Sequence, residues 1–589
     1  MGNEAIGLGA IDAGVSLVSG YPGTPSTEIL ESVAKFNDGS IHVQWSTNEK
    51  AALEVAAGAA YCGARTLVTM KQVGLNVASD PLMSLAYVGV KGGMVVVSAD
   101  DPGPISSQTE QDTRTFARFA KIPVFDPSNP EEAYEMIQDA FELSERIGSP
   151  VLFRPVTRVA HSCAQVEVCD SPREKNKAEF VKDTMRWVIF PRTSFENHKK
   201  IEARNVQLSD ELSSYRFNKI EGGGKVGIAT GSVSYGYVKD ALGGTDAKIF
   251  KVSTPFPFPE KLALEFLQGL KKVIVIEELD PVIERELTYI CGKHGIKMEI
   301  LGKLSGHVQS AGENSTASVK KVLSQFFDLP QSECCCDELP ALPVRPPVLC
   351  AGCPHRASFY AVKKAMRGKK AVFSGDIGCY TLGNAKPLDM VDTCLCMGAD
   401  ITIAQGIHIM EPDTVNFSFI GDSTFFASGM TGVVNAVYNN TNIVIIVLDN
   451  STTAMTGHQP HPGTGVTMMG DITEKVSIER VLEAIGVKSI QTVDPLKLDE
   501  AVQAVKTAAG YDGVSAVIFK SPCIAVSKPT GLYRIDKDLC QECTVCVREL
   551  GCPAITAGDG SVCIDSTLCF GCGVCSYVCP FDAIKKEEK

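Results

Sequence analysis

Eight cysteines near the end of the chain fall into two runs, Cys540-x2-Cys543-x2-Cys546-x5-Cys552-Pro553 and Cys569-x2-Cys572-x2-Cys575-x3-Cys579-Pro580. This is the spacing by which cysteine thiolates hold [4Fe-4S] clusters, and in two-cluster arrangements the fourth cysteine of each run crosses to the other cluster. Cys540, Cys543, Cys546 and Cys579 are therefore expected to hold one cluster. Cys552, Cys569, Cys572 and Cys575 are expected to hold a second, although two extra residues before Cys552 loosen that expectation. Zinc is the alternative, because C-x2-C pairs bind it too. A tetrahedral zinc site uses four ligands and leaves the third cysteine of each run and the Cys-Pro endings unexplained.

A second chemical set lies between Thr414 and Thr452. Apolar runs at Val415–Ile420 and Ile443–Leu448 predict parallel strands around a crossover helix, and ligands of such a unit sit at the carboxyl ends of its strands. Asp422 and Asn450 then share one rim. A carboxylate, an amide oxygen and a nearby backbone carbonyl such as that of Thr452 suit Mg²⁺, which keeps positions for water and phosphate oxygens. The pattern Gly421-Asp422-Ser423…Asn450 resembles the G-D-G…N signature of thiamine diphosphate enzymes, with Ser423 in place of the third-position Gly. The alternative is an ordinary crossover with Asp422 as a turn residue.

Thiamine enzymes also need one carboxylic acid against the aminopyrimidine ring. Glu49 heads an Ala/Gly-rich helix (50–61), the placement found in those enzymes, and Glu54 is the fallback. A Glu in a first helical turn is also favoured by the helix dipole alone. Gly378, in the Gly375–Tyr380 turn, and Met397-Gly398, ahead of another small-residue helix, are expected to bring backbone groups to the diphosphate.

The elements that must position these residues alternate in an α/β pattern. The expected divisions are 1–160, a pyrimidine-binding α/β domain; 161–222, a charged connecting region with some helix; 223–328, a transketolase C-terminal-like α/β domain; 329–347, a Pro-rich acidic linker; 348–526, a diphosphate-binding α/β domain; and 527–589, the two-cluster tail. Strands are expected at 16–19, 66–70, 94–98, 225–229, 249–252, 272–276 and 371–373. Gly222-Gly223-Gly224 precedes its strand and so is no phosphate loop. Glu277-Glu278 ends a strand at a rim, where a solvated or interface role is expected. Cys334, Cys335 and Cys336 are adjacent, so they do not converge easily on one metal and are read as exposed thiols.

At 589 residues several domains are expected. The formal net charge of −13 argues against non-specific nucleic-acid binding. No apolar run reaches the roughly 18 residues a membrane helix needs. The opening MGNEAIGLGAIDAG reads as a domain helix, which points to a cytoplasmic protein. The 22 cysteines exceed what a reducing compartment uses as small hydrophobes and favour metal ligation.

A thiamine site and a ferredoxin-type tail on one chain resemble the 2-oxoacid:ferredoxin oxidoreductases. The runs SGYPGTPSTE, STNEKAALEVAAGAA, TMKQVGLNVASDPL, CAGCPHR, DIGCYTLG, VDTCLCMGA and MTGHQPHPG closely resemble the large subunits acting on indolepyruvate, across essentially the whole chain. The resemblance implies that an aryl 2-oxoacid, coenzyme A and oxidised ferredoxin give an arylacetyl-CoA, CO2 and reduced ferredoxin. It implies thiamine diphosphate, Mg²⁺, a small beta subunit and a hetero-oligomer such as α2β2. It also implies that Glu49 activates the thiamine and that Thr24 hydrogen-bonds the substrate carboxylate. A third [4Fe-4S] cluster would be held by Cys350, Cys353, Cys379 and Cys523; the alternative there is buried thiols. Pyruvate-using relatives place an arginine after the strand at 94–98, where this chain has Asp100-Asp101, which disfavours pyruvate. His355 and His458 are further candidates for lining the site. Competing readings are a branched-chain or phenylpyruvate enzyme, a non-oxidative thiamine decarboxylase and an electron-transfer subunit without catalysis.

Overall fold

The computed structural model describes residues 1–169, 173–327, 342–343, 345–558 and 561–587. The chain divides into two compact units, Met1–Glu338 and Leu339–Lys589.

The first unit holds two sheets. Strands β1 (Leu17–Gly20), β2 (His42–Trp45), β3 (Thr66–Lys71), β4 (Met94–Ala99), β5 (Val124–Phe125) and β6 (Val151–Phe153) form a six-stranded sheet in the order β2-β1-β3-β4-β6-β5. Every pairing in it is parallel. β4 is buried at all six positions, as expected of a strand covered by helices on both faces. The second sheet joins β7 (Lys219–Gly222), β8 (Val226–Gly231), β9 (Lys248–Val252), β10 (Lys272–Ile276) and β11 (Glu299–Leu301) in the order β11-β10-β8-β9-β7, with β7 antiparallel.

This second sheet corrects two expectations. Gly222 closes β7, an edge strand that the sequence pattern had hidden inside charged residues. Glu277 and Glu278 are not solvated: both are buried. Arg114 Nη1 donates to Glu277 at 3.1 Å and Arg114 Nη2 to the Glu278 and Asp280 carbonyls, while Asp112 binds the same guanidinium at 2.6 Å. The interface part of the expectation stands, because these bonds tie the first sheet's helix at Thr113–Ala120 to the end of β10. Between the two sheets the charged segment forms a 22-residue helix, Pro191–Leu212, that buries only Ile201, Leu208 and Leu212.

The second unit is built on β12 (Ala371–Gly375), β13 (Thr393–Cys394), β14 (Val415–Gly421), β15 (Val444–Asp449), β16 (Ser489–Val493) and β17 (Ser515–Lys520), all parallel in the order β13-β12-β14-β15-β17-β16. The crossover from β14 to β15 is broken: a turn of α-helix at Asp422–Thr424, a π-helical turn at Phe425–Gly429, then α-helix at Met430–Tyr438. π-turns inside helices concentrate at functional sites. The tail adds two antiparallel pairs, formed by β18 (Tyr533–Ile535), β19 (Ile555–Gly558), β20 (Ser561–Ile564) and β21 (Ile584–Lys586). The fold class is thus α/β with doubly wound parallel sheets and a small C-terminal cysteine-bearing domain. The linker at 329–347 lies almost wholly outside the described residues, and Cys334, Cys335 and Cys336 lie outside them entirely.

Candidate functional site

In the first unit, β2 delivers the chain to Asn48, whose side chain accepts from Ala51 N at 2.8 Å and caps the Glu49–Tyr61 helix. This fixes Glu49 at the first helical position, 8% exposed. Burial raises its carboxyl to about 7, against opposing effects of its own backbone amide and Lys71. Gly74 makes this possible. A Cβ there would stand 2.5 Å from Glu49 Oε1 and 2.8 Å from Cγ, so only a glycine lets the carboxyl rest against the Gln72–Val77 helix. Glu54, the fallback, is exposed and paired with Lys50.

Thr24 lies in the turn after β1, where Ser26 Oγ donates to Gly23 O at 2.8 Å and Gly23 N to Thr27 Oγ1 at 3.0 Å. Ser26 therefore braces the turn and makes no side-chain cap to the following helix. Ser106 Oγ donates to Thr24 O at 3.2 Å, which ties the loop after Asp101 to this turn.

In the second unit, Asp422 follows β14 directly and Asn450 follows β15, at adjacent carboxyl ends of paired strands. Asp422 Oδ1 accepts from Ser423 N at 2.9 Å and Oδ2 from Ser451 N at 2.8 Å. His461 Nε2 lies 3.1 Å from Oδ2, and its Nδ1 accepts from Gly463 N at 3.1 Å, so the ring donates to Asp422 through Nε2–H. Asn450 Nδ2 is 3.3 Å from His355 Nε2. An amide nitrogen is donor only, so His355 accepts there and Asn450 Oδ1 faces the other way. Burial lowers His355 to about 4 against the pull of Asp422, which keeps it a neutral acceptor. Ser423 Oγ meets Thr453 Oγ1 at 3.1 Å, and Thr452 N donates to Asn450 Oδ1 at 3.3 Å.

His355 lies against Asn450, whereas His458 is exposed, and it is His461, three residues on in the same MTGHQPHPG run, that reaches Asp422. Asp376 is a further residue the sequence reading missed. It is fully buried, accepting from Gly398 N at 2.8 Å and from the Tyr380 hydroxyl at 2.7 Å. Burial raises Asp376 to about 6, and the neighbouring buried Asp400 is raised further by burial and by Asp376. Gly398 sits at φ 80° at the head of the Ala399–Met410 helix. A Cβ at Gly378 or at Gly421 would strike the Tyr380 ring at 2.5 Å. The Met397 carbonyl accepts from Ser428 Oγ at 2.9 Å, and Gly378 N donates to Thr381 Oγ1 at 3.0 Å, so that N–H is engaged within the protein.

The described cysteines are free thiols. Cys540, Cys543, Cys546 and Cys579 line one cavity, and Cys552, Cys569, Cys572 and Cys575 line another, so the two extra residues before Cys552 do not carry it away. Burial pushes the Cys353 thiol up to about 12, with Cys350 and Cys379 adding to the effect. Cys379 is pushed up to about 11 by burial, with Cys523 and Cys350 nearby adding to the effect. Cys379 therefore has Cys350, Cys353 and Cys523 within electrostatic reach. Cys523 N donates to Asn450 O at 2.9 Å, which joins this set to the Asp422 rim.

These residues fit the groups expected of them. Among the described residues no three or more His, Cys, Asp or Glu converge as ligands of a single metal ion would. A [4Fe-4S] cluster spreads four thiolates over four irons, and Mg²⁺ beside a diphosphate needs one or two carboxylates, so neither requires that convergence. Also among the described residues, no helix is long and apolar enough to cross a membrane.

Comparison with known proteins agrees with this chemistry. Residues 8–211 match the family described as pyruvate flavodoxin/ferredoxin oxidoreductase, thiamine diP-bdg. Residues 376–519 match thiamine pyrophosphate enzyme, C-terminal TPP binding domain, and residues 562–585 match 4Fe-4S binding domain. A protein named indolepyruvate oxidoreductase subunit IorA from Methanothermobacter thermautotrophicus is 43% identical, covering 100% of this chain and 97% of its own length. Proteins of the same name from Pyrococcus abyssi and Thermococcus kodakarensis are 39% and 40% identical, covering 100% and 99% of this chain and 96% of their own lengths. The chain, an oxidoreductase subunit with thiamine-diphosphate-binding and iron–sulfur domains, belongs to the indolepyruvate oxidoreductase subunit IorA family of the 2-oxoacid:ferredoxin oxidoreductase superfamily.

Proposed function

We propose that this protein is the large subunit of an enzyme that oxidatively decarboxylates aryl pyruvates, indolepyruvate among them. The aryl 2-oxoacid anion, coenzyme A and two oxidised ferredoxins give the arylacetyl-CoA, CO2, a proton and two reduced ferredoxins. The observation that carries the reading is the bond from Cys523 N to Asn450 O, because it joins a four-thiol set to the rim holding Asp422. A non-oxidative decarboxylase has no use for thiols there.

When bound, thiamine diphosphate supplies the electron sink for loss of CO2, and iron–sulfur clusters accept the two electrons singly. Asp422, Asn450 and the Thr452 carbonyl would hold Mg²⁺, with His461 orienting the Asp422 carboxylate. Gly421, Ser423, Gly378, Met397 and Gly398 form the cradle around it, and Tyr380 and Asp376 brace three of its glycines. Glu49, buried and raised to about 7, holds its proton near neutrality and would be the residue that meets the aminopyrimidine ring, with a proton to give or take there. Thr24 offers its hydroxyl to the substrate. Cys350, Cys353, Cys379 and Cys523 would hold a third cluster, and the two tail sets would hold two more, which would supply one-electron redox chemistry. We keep the domain divisions proposed from the sequence, except that β7 (Lys219–Gly222) joins the transketolase C-terminal-like domain, and we take the working enzyme to be a cytoplasmic hetero-oligomer with a small subunit.

The test is anaerobic co-expression with a candidate small subunit, followed by a panel of 2-oxoacids with coenzyme A and ferredoxin. Acyl-CoA formation and ferredoxin reduction with aryl pyruvates is the expected result. Aldehyde release without ferredoxin reduction would overturn it.

A further inference from the structure

A 2-oxoacid is ionised at neutral pH, and a carboxylate taken out of water needs a cation or several donors to meet it. In the first unit the loop after β4 offers none, since Asp100 and Asp101 are both carboxylates and both buried. The arginines nearby are committed. Arg154 is held by Asp100 and Asp126, Arg114 by Asp112 and Glu277, and Arg158 by Glu313.

One cation is differently placed. Lys71 ends β3, half-buried, with its ammonium in electrostatic reach of Glu49 and Asp101. Its stem lies on the turn that carries Thr24, because a Cβ at Gly23 would stand 3.0 Å from both Lys71 Cγ and Cδ. Nζ donates to Ser106 O at 2.9 Å. Ser106 in turn donates through Oγ to Thr24 O at 3.2 Å and through N to Asp101 Oδ2 at 2.8 Å. Lys71 is therefore tied to Ser106, to the turn that carries Thr24 and to Glu49 alike. An ammonium has three donors, so two are left beyond the Ser106 bond among the described residues. Burial lowers the Lys71 pKa while Asp101 and Glu49 oppose the fall, so a bound carboxylate would be welcomed as a further counter-charge.

We propose that Lys71 Nζ receives the carboxylate of the 2-oxoacid substrate, holding it over the Thr24 turn with the keto carbon directed toward the cofactor activated by Glu49. This rests on the proposed 2-oxoacid reaction and names the residue that recognises its substrate class. A lysine on a flexible stem presents a point charge that follows the carboxylate of a bulky substrate, where an arginine would impose a planar fork.

The experiment uses the anaerobic complex of both subunits carrying Lys71→Met or Lys71→Arg, with iron content and thermal melting as folding controls. Each is assayed with an aryl pyruvate and with the corresponding arylacetaldehyde, which lacks the carboxylate and can be oxidised to the same acyl-CoA. Lys71→Met should raise KM for the aryl pyruvate about 100-fold while aldehyde oxidation stays within about twofold, and Lys71→Arg should recover part of the loss. Calorimetry of indole-3-lactate, an inert 2-hydroxy carboxylate, with the thiamine-free complex should show about the same weakening in Lys71→Met. An unchanged KM, a parallel fall with both substrates, or unchanged indole-3-lactate binding would overturn the assignment. A wild-type complex that turns over no 2-oxoacid overturns the reaction instead, and the calorimetric arm then decides Lys71 by itself.

Discussion

Replacing Glu49 by Gln separates the physics of its pocket from its chemistry. The carboxyl is buried, and its pKa rises from 4.5 in the unfolded chain to about 7 in the folded one. For an acid raised in this way the folded state keeps its proton longer than the unfolded state. Folding is unpenalised below about pH 4.5, loses stability as pH rises toward about 7, and above that carries a constant penalty. At about 1.4 kcal/mol per pH unit the full penalty is about 3 kcal/mol. Glutamine has the same shape and no charge, so thiamine-free Glu49→Gln should gain about 3 kcal/mol over wild type between about pH 4.5 and pH 8. The assay is hydrogen-exchange protection of the Glu49–Tyr61 helix, corrected for intrinsic rates, which reads local opening in a chain too large for two-state unfolding. The same substitution should abolish 2-oxoacid-dependent dye reduction while leaving the iron–sulfur spectrum intact. A wild-type and variant pair whose protection runs parallel across that pH range would refute the burial argument, and retained activity would refute the catalytic one.

Gly74→Ala should push the Glu49 carboxyl out of place, because the new Cβ would stand 2.5 Å from Oε1; turnover falls by about 100-fold with unchanged iron, measured by dye reduction. His461→Ala removes the ring that holds Asp422 Oδ2 at 3.1 Å, and Mg²⁺-dependent thiamine diphosphate binding, followed by fluorescence quenching, should weaken about 10- to 100-fold. Cys379→Ser should lower iron by about one cluster's worth, read by iron analysis; unchanged iron would reject the third cluster. Arg114→Met strips the counter-charge from buried Asp112 and Glu277, so the first unit should lose about 3–5 kcal/mol, seen as an earlier melting transition.

The parallel strands were legible because each is a short continuous apolar run between turn residues, the signature of a strand covered on both faces. Val415–Gly421 and Val444–Asp449 lie within one residue of their expected limits. β7 was not legible, since Lys219-Ile220-Glu221-Gly222 is a half-exposed edge strand whose alternation is too short to stand out from a charged neighbourhood. The burial of Glu277 and Glu278 was hidden for a different reason. The counter-ion of Glu277 is Arg114, 163 residues away in sequence, and the Glu278 carboxylate accepts from Asn314 N at 2.7 Å; long-range partners of this kind leave no local signal. His461 over His458 turns on backbone geometry: His458 adopts φ 67° and points its role away, while the His461 ring reaches Asp422. Asp376 was overlooked within a recognised run, because a buried carboxylate that braces a loop looks in sequence like any turn Asp.

The second unit also explains why an iron–sulfur tail and a thiamine-type sheet share one body. Arg356, three residues after Cys353, donates from Nη1 to Leu550 O and Gly551 O, at 2.5 and 2.9 Å, and from Nη2 to Leu349 O at 2.6 Å. It clamps the Cys350–Cys353 loop to the residues just before Cys552. Gly352, at φ 78°, lets the same loop press on Phe570, whose ring atom a Cβ would approach to 2.9 Å. Cys353 itself lines the cavity shared by Cys552, Cys569, Cys572 and Cys575. From the Asn450 carbonyl to Cys523, by way of Cys379 to Cys353, and on to the tail, the path stays within one unit, through a hydrogen bond, thiols in electrostatic reach of one another, and a shared cavity. Electron transfer needs short, fixed separations, and a tail on a flexible tether would not supply them. The clamp at Arg356 is buried and made of charge-assisted bonds to carbonyls, which makes the tail part of the core the sheet is built around.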